Sequence, residues 1–345
     1  TNSSMNDNVI NEGTYAYVSD WNNMKNARFL ADLLKANIRV RYAQKPFSLD
    51  RKTHDRGSLI ITQSDNKNHK NFIQSLKAIS IKHDASLTPV QTGFVDSGKD
   101  FGSSSVQMVN DLKVAILSGE PTSTLRFGEI WHFFEQQLQY PVAVIDTEYM
   151  SRVDFSEYDV LILPSGWSYN NFMTKDRLKD LKQWVSNGGK LIAMGSAIKA
   201  LSTKDGFSIK TKEQEKDSTN NMRPFDGSER ERIKSAITGA IFKTKVDNTH
   251  PLAYGYDSNY FTLKLGNDSY DYLTNGNVVY LEENQNKPVS GFAGSKAQEK
   301  IAKTLVFGVE NHGSGSVIYM VDNPLFRGFW ENGKLFFANA LFMVN

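Results

Sequence analysis

A chain of 345 residues exceeds one ordinary hydrophobic core, so two domains are the default expectation. Hydrophobic content of 39% and charged content of 23% fit a folded chain, and a net charge of +2 without long runs of one sign implies no nucleic-acid partner. The absence of cysteine excludes disulfides, thiolate nucleophiles and cysteine metal sites, and no apolar run approaches the roughly 20 residues that span a bilayer.

Residues 1–12 are polar and read as a linker, as if the chain were one part of a longer protein. From residue 13 to 110 the pattern is βαββαβ. Strands are expected at 15–18, 38–42, 58–62 and 87–92, from short apolar or alternating runs. Helices are expected at 24–36 and 70–79, where Ala27, Leu30, Ala31, Leu34 and then Phe72, Ile73, Leu76, Ile79 recur at helical spacing. This is a split βαβ arrangement, which resembles ferredoxin-like folds. Residues 96–105, rich in Gly, Ser and Asp, read as a connector.

Residues 111–345 alternate differently. Strands are expected at 112–117, 142–145, 160–164 and 190–194, and helices at 127–138, 174–186 and 196–201, with Gly188 and Gly189 stopping the second helix. Buried-type strands alternating with helices imply a doubly wound, flavodoxin-like, mostly parallel α/β sheet. The polar stretch 204–231 reads as a surface insertion. Strands follow at 241–246, 278–281, 304–309 and 316–321, the last two joined as a hairpin whose turn carries His312, and a closing helix occupies 333–343.

Four groups of residues invite a chemical reading. Ser196 follows an apolar strand at Met194-Gly195-Ser196-Ala197, the kind of corner that presents a nucleophile, but Met194 and Ile198 replace the glycines of G-x-S-x-G. A serine there also needs a base, and the bland reading makes Ser196 a helix cap. After the strand 160–164, Ser165 and Gly166 begin a turn able to aim backbone N–H groups at an oxyanion; the alternative is that Gly166 supplies a positive φ. His132 and Glu135 share a helical face, and with His250 make a zinc set that six histidines yield by chance. Trp167, Tyr169, Arg327, Phe329 and Trp330 fall near the ends of strands where ligands bind α/β sheets, so a peptide or glycan platform is open beside plain packing, with Arg327 locking its loop to the closing helix.

Asp159-Val-Leu-Ile-Leu-Pro-Ser-Gly-Trp-Ser-Tyr resembles the oxyanion strand of class I glutamine amidotransferases, and Leu191-Ile-Ala-Met-Gly-Ser-Ala resembles their nucleophile elbow. The resemblance implies Cys at the elbow and a later His and Glu. Here Ser196 occupies the elbow, and Asp322-Asn323-Pro324 follows the late strand with no His. From residue 13 to the end, the chain is similar to the region that follows the catalytic domain of bacterial zinc carboxypeptidases of the carboxypeptidase A type. Tyr15-Ala-Tyr-Val, Arg39-Val-Arg-Tyr-Ala-Gln-Lys-Pro-Phe, Gly119-Glu-Pro-Thr-Ser, Thr249-His-Pro-Leu-Ala-Tyr-Gly and Asp322-Asn-Pro-Leu-Phe-Arg-Gly-Phe-Trp carry that likeness. It implies a secreted or periplasmic parent whose zinc and catalytic residues precede Thr1, with the peptidase domain of the same chain as partner. This segment is then an accessory module with no catalytic residue and no cofactor of its own. The alternatives are a Ser196-dependent hydrolase and a peptide- or glycan-binding module.

Overall fold

The computed structural model describes residues 10, 13–202, 204, 206–213 and 225–345. Most of the expected linker and the middle of the polar stretch lie outside them. The described residues build two large sheets and a small hairpin.

The first sheet contains β1 (Ala16–Ser19), β2 (Arg41–Ala43), β5 (Leu59–Thr62), β6 (Thr88–Val90) and β7 (Val106–Met108), in the order β6-β1-β5-β2-β7. All its pairings are antiparallel. Leaving out β7, this is the 4-1-3-2 order that the split βαβ reading calls for. Helix α1 (Met24–Lys35) begins at Asn23, whose side chain accepts the N–H groups of Lys25 and Asn26, and α2 (Phe72–Lys82) packs beside it. The hairpin β3 (Phe47–Leu49)–β4 (Lys52–His54) and β7 lie in segments without a legible strand period. Phe47, Leu49, Phe101 and Val106 cover one face of the sheet over Ala16, Val18 and Ile60. The other face, with Tyr17, Leu59 and Ile61, packs on α1. Burial on both faces explains why β1 and β5 read as continuous apolar runs rather than as alternating strands.

The second sheet has ten strands. Its parallel half runs β9 (Ala143–Asp146), β8 (Val114–Ser118), β10 (Val160–Leu163), β11 (Lys190–Met194), β17 (Gly315–Met320). In chain order that is 2-1-3-4-5, the flavodoxin-like doubly wound order, with the switch point between β8 and β10. From β17 the sheet continues antiparallel through β16 (Thr304–His312), β14 (Asn277–Leu281), β12 (Ile237–Val246) and β13 (Asn259–Lys264), with β15 (Ser290–Ala293) also on β12. The β16–β17 hairpin expected from sequence is present, and His312 ends β16.

Period-two alternation splits the parallel strands between two cores. Ala115, Leu117, Leu161, Leu163, Leu191 and Ala193 point to one side, against α5 (Lys175–Ser186), α6 (Ala197–Leu201), Phe207 and Ile209. The expected surface insertion therefore begins with buried residues: Phe207 and Ile209 anchor it before the segment outside the described residues, and α7 (Ser228–Lys234) follows. Ile116, Ile162, Ile192 and Ile318 point to the opposite side. There α3 (Thr124–His132) and the closing helix α9 (Glu331–Phe342) cover them. The helix expected at 127–138 starts earlier, and its second half, Phe133–Leu138, winds as a π-helix. Two short helices complete the set described: α4 (Tyr169–Phe172) after β10, and α8 (Ser295–Ile301) before β16.

Helix α9 is buried on nearly every side because it also serves the first sheet. Trp21 donates its indole N–H to Asn339 Oδ1 at 2.7 Å, and Tyr42 OH donates to the Met343 carbonyl at 3.1 Å. Asn339 Nδ2 donates to the carbonyls of Leu252 and Tyr254, so one buried amide ties three separate segments together. Apolar side chains of both sheets consequently form one continuous core.

Candidate functional site

The strand order fixes where a site belongs. At the C-terminal ends of β8, β10, β11 and β17, close to the switch point, the chain leaves the sheet at Gly119, Pro164, Gly195 and Val321. The loop after β8 meets the turn after β10 there. Trp167 N–H donates to Pro121 O at 2.8 Å, Ser123 N–H donates to Ser165 O at 3.0 Å, and Thr122 and Gly166 form an isolated bridge. A Cβ on Gly166 would lie 1.9 Å from Pro121 O. Gly166 is required by this close approach of two backbones, not by a positive φ: the left-handed residues nearby are Gly119, at φ 83°, Gly195, at φ 52°, and Ser168, at φ 58°.

Ser196 sits at the first turn of α6, yet its hydroxyl does not cap that helix. It reaches across to β10's turn. Ser196 Oγ donates to Gly166 O at 2.5 Å and accepts the Gly166 N–H at 2.8 Å. Ser165 Oγ lies 3.0 Å from it and accepts the Ser196 N–H at 3.2 Å. A hydroxyl has one donor and two acceptor positions, and here all are taken by the backbone and hydroxyl of a neighbouring turn. The Gly166 amide, which the sequence leads one to expect aimed at an oxyanion, is bonded to Ser196 itself. Ser196 is in an ordinary right-handed conformation (φ −67°), and Gly195 takes the left-handed turn of the corner, which a glycine adopts without strain.

A cavity of about 190 Å³ opens above this corner. Ser165, Ser196, Arg126, Glu129, Asp268, Asp322 and Asn323 supply its polar lining, and no histidine is among the described residues that line it. Two of the acids are already compensated. Asp322 accepts from Thr262 Oγ1 at 2.7 Å and Lys264 Nζ at 2.8 Å, and the lysine side chain is 1% exposed. Glu129 receives Arg126 Nη1 at 3.0 and 3.1 Å, Asn323 Nδ2 at 2.6 Å and the Arg327 N–H at 2.8 Å. Four such bonds on one carboxylate exhaust its acceptor positions. None of the three acids, Asp268 included, bonds to Ser196, so among the described residues the polar groups of this site leave the hydroxyl without a hydrogen-bonded base.

The other sequence candidates separate. His132 and Glu135 are both exposed at the junction of α3 and the π-helix. His250 is remote in sequence and role: its Nδ1 accepts the Leu252 N–H at 3.1 Å, and burial, partly offset by Asp247, lowers its pKa. Among the described residues no three His, Asp or Glu side chains form a metal-sized group. Tyr169 is buried, with its hydroxyl on Pro164 O at 2.7 Å, and Trp330 donates its indole N–H to Tyr260 OH at 3.1 Å. Trp167 and Phe329 are exposed, and neither is among the residues that line the cavity above Ser196 or the one beside Arg327. Arg327 does not lock onto the closing helix. Its main-chain N–H binds Glu129 of α3, and its guanidinium lies 5.2 Å from the Phe326 ring centre.

The sequence reading does not single out Arg126, Glu129 or Lys264, and it names Asn323 only within the segment after the late strand. Only Lys264 carried a signal: Tyr260, Thr262 and Lys264 alternate on one face of β13, so a charge falls where an apolar residue is expected. Arg126 and Glu129 look like an ordinary i,i+3 helix pair, and their meeting with Asn323 is set by tertiary structure alone.

No family model and no curated protein matches this chain. Among solved structures it is similar to a GMP synthase component of Thermoplasma acidophilum, at 12% identity over 66% of this chain and 92% of that one, with a TM-score of 0.40. A glutamine amidotransferase of Thermotoga maritima matches at 9% identity over 67% of this chain and 97% of that one, with a TM-score of 0.41. A β-galactosidase of Bacillus circulans sp. alkalophilus matches at 13% identity over 67% of this chain, with a TM-score of 0.37, and this chain spans only 30% of its length. At such identities and TM-scores none of them lends an activity to this chain.

Proposed function

We propose that this chain is a non-catalytic accessory module, an amidotransferase-like α/β unit whose nucleophile corner has become a structural joint. The observation that supports this reading best is the hydrogen bonding of Ser196, whose Oγ is held by both backbone groups of Gly166 and by Ser165. An acyl-transfer serine needs a base within about 3 Å and free amides for the oxyanion. Ser196 has no such base among the described residues, and the amide that would serve is the one it occupies. The alternative of a Ser196-dependent hydrolase requires both to be reversed.

The ordered likeness of five segments to the region after a zinc carboxypeptidase domain supports a parent of that class, secreted or periplasmic, with zinc and catalysis supplied by the preceding domain. In that setting the module braces the peptidase or presents substrate to it. The chain should therefore release no ammonia from glutamine and cleave no p-nitrophenyl ester above the buffer rate, and Ser196→Ala should leave both traces unchanged. Turnover lost in Ser196→Ala would overturn the non-catalytic reading. Reading the gene upstream of the Thr1 codon tests the parent separately: a frame without an H-x-x-E peptidase domain removes it.

A further inference from the structure

A second cavity, of about 550 Å³, lies between α3 and the loop 326–328. That volume is in the range of small-ligand sites. Its lining has two characters. Leu125, 76% exposed, and the Phe326 ring make an apolar slot. Arg126, Arg327 and His132 surround it, and the guanidinium carbons of Arg126 and Arg327 lie 5.6 and 5.2 Å from the Phe326 ring centre.

The acid–base balance of this cavity is one-sided. Among the described residues Glu129 is its only acid, and its four hydrogen bonds leave no acceptor position for a ligand cation. One of those bonds fixes the Arg327 main chain in the left-handed region at φ 48°, a conformation that costs a non-glycine residue about 1 kcal/mol. The strain is held by Glu129 and turns the Arg327 side chain outward. Among the described residues no acceptor pairs with the Arg327 guanidinium or the His132 ring. The Arg327 fork, with Arg126 beside it held to Glu129 through Nη1, flanks an aromatic ring and a bare leucine and complements a carboxylate attached to an apolar group.

We infer that this cavity binds the C-terminal residue of a peptide, its carboxylate on Arg327 and an aromatic or branched apolar side chain over Leu125 and Phe326. This site is independent of Ser196: turnover there would overturn the non-catalytic reading and leave this one standing.

The test is calorimetric titration of the chain with N-acetyl-Ala-Ala-Phe as free acid, with its C-terminal amide, and with N-acetylphenylalanine. The free acid should bind, and amidation should weaken it about tenfold or more, the loss expected for one charge-assisted bidentate contact. Arg327→Gln and Leu125→Glu change exposed side chains, so both should keep the melting temperature of the parent chain and weaken the free acid about tenfold. Equal affinity for acid and amide, or wild-type affinity in Arg327→Gln, overturns the site. Equal affinity for the tripeptide and the single residue overturns its assignment to a peptide end.

Discussion

Ser196 and Gly166 make a joint in which each explains the other. Gly166 must lack a side chain because Pro121 O occupies the Cβ position, and the backbone brought there presents both its N–H and C=O to Ser196. Removing the hydroxyl leaves two half-buried backbone groups unpaired, so Ser196→Ala should destabilise the fold by about 1–3 kcal/mol in urea titration. Gly166→Ala forces two backbones apart and should cost about 3 kcal/mol, the upper part of the range for overpacking. A Ser196→Ala variant as stable as the parent chain would contradict the joint. Part of this was legible in the sequence: the two corners stand out as apolar strands ending in small residues. Their contact was not, because residues 30 apart meet only when β10 and β11 lie side by side in the sheet. Nothing in a linear pattern separates a free serine from one already held by a neighbouring turn.

At the scale of elements, the antiparallel half of the second sheet delivers a buried cation to the end of the parallel half. Lys264 on β13 meets Asp322 just after β17, and both are removed from water. Losing one partner strands the other, so Lys264→Met should cost about 3–5 kcal/mol, and Lys264→Met with Asp322→Leu should recover much of it. An additive double variant would sink this pairing.

Lys190, at the start of β11, has a different kind of burial. Its Nζ donates to Leu341 O at 2.7 Å, and burial, partly offset by Asp159, pulls its pKa down to about 7. In the unfolded chain a lysine titrates near 10.4. Between about pH 7 and pH 10 the unfolded state therefore holds more protons, and stability rises with pH by up to about 1.4 kcal/mol per unit; below about pH 7 the burial cost is present in full. Buried tyrosines such as Tyr169, whose pKa burial raises, act in the opposite sense and only above about pH 10, where the folded state holds more protons and stability falls as pH rises. The difference in unfolding free energy between the parent chain and Lys190→Met, measured at pH 6, 8 and 9.5, isolates the lysine. It should move in the parent's favour as pH rises, and a flat difference contradicts this assignment.

For the molecule as a whole, the order of strands and helices was the most legible feature. Apolar runs bounded by turns marked both the βαββαβ unit and the 2-1-3-4-5 sheet. Strands β3, β4, β7, β13 and β15 were not legible. They are short or lie at edges, where tertiary contacts rather than a sustained period select the conformation. Nor does a linear reading show that α9 serves both sheets. Trp21, Tyr42 and Asn339 bind residues about 300 positions away or tie separate loops, so the two sheets should unfold together. Calorimetry should give one transition with matching calorimetric and van't Hoff enthalpies, and two resolved transitions would contradict a shared core.

Whether the corner at Ser196 has lost its chemistry can be measured on the hydroxyl itself. The chain would be incubated with a fluorophosphonate that marks activated serines, followed by intact-mass measurement and peptide mapping. A hydroxyl held as a structural joint gives no adduct at Ser196 after prolonged exposure, whereas stoichiometric labelling of Ser196 would contradict that role.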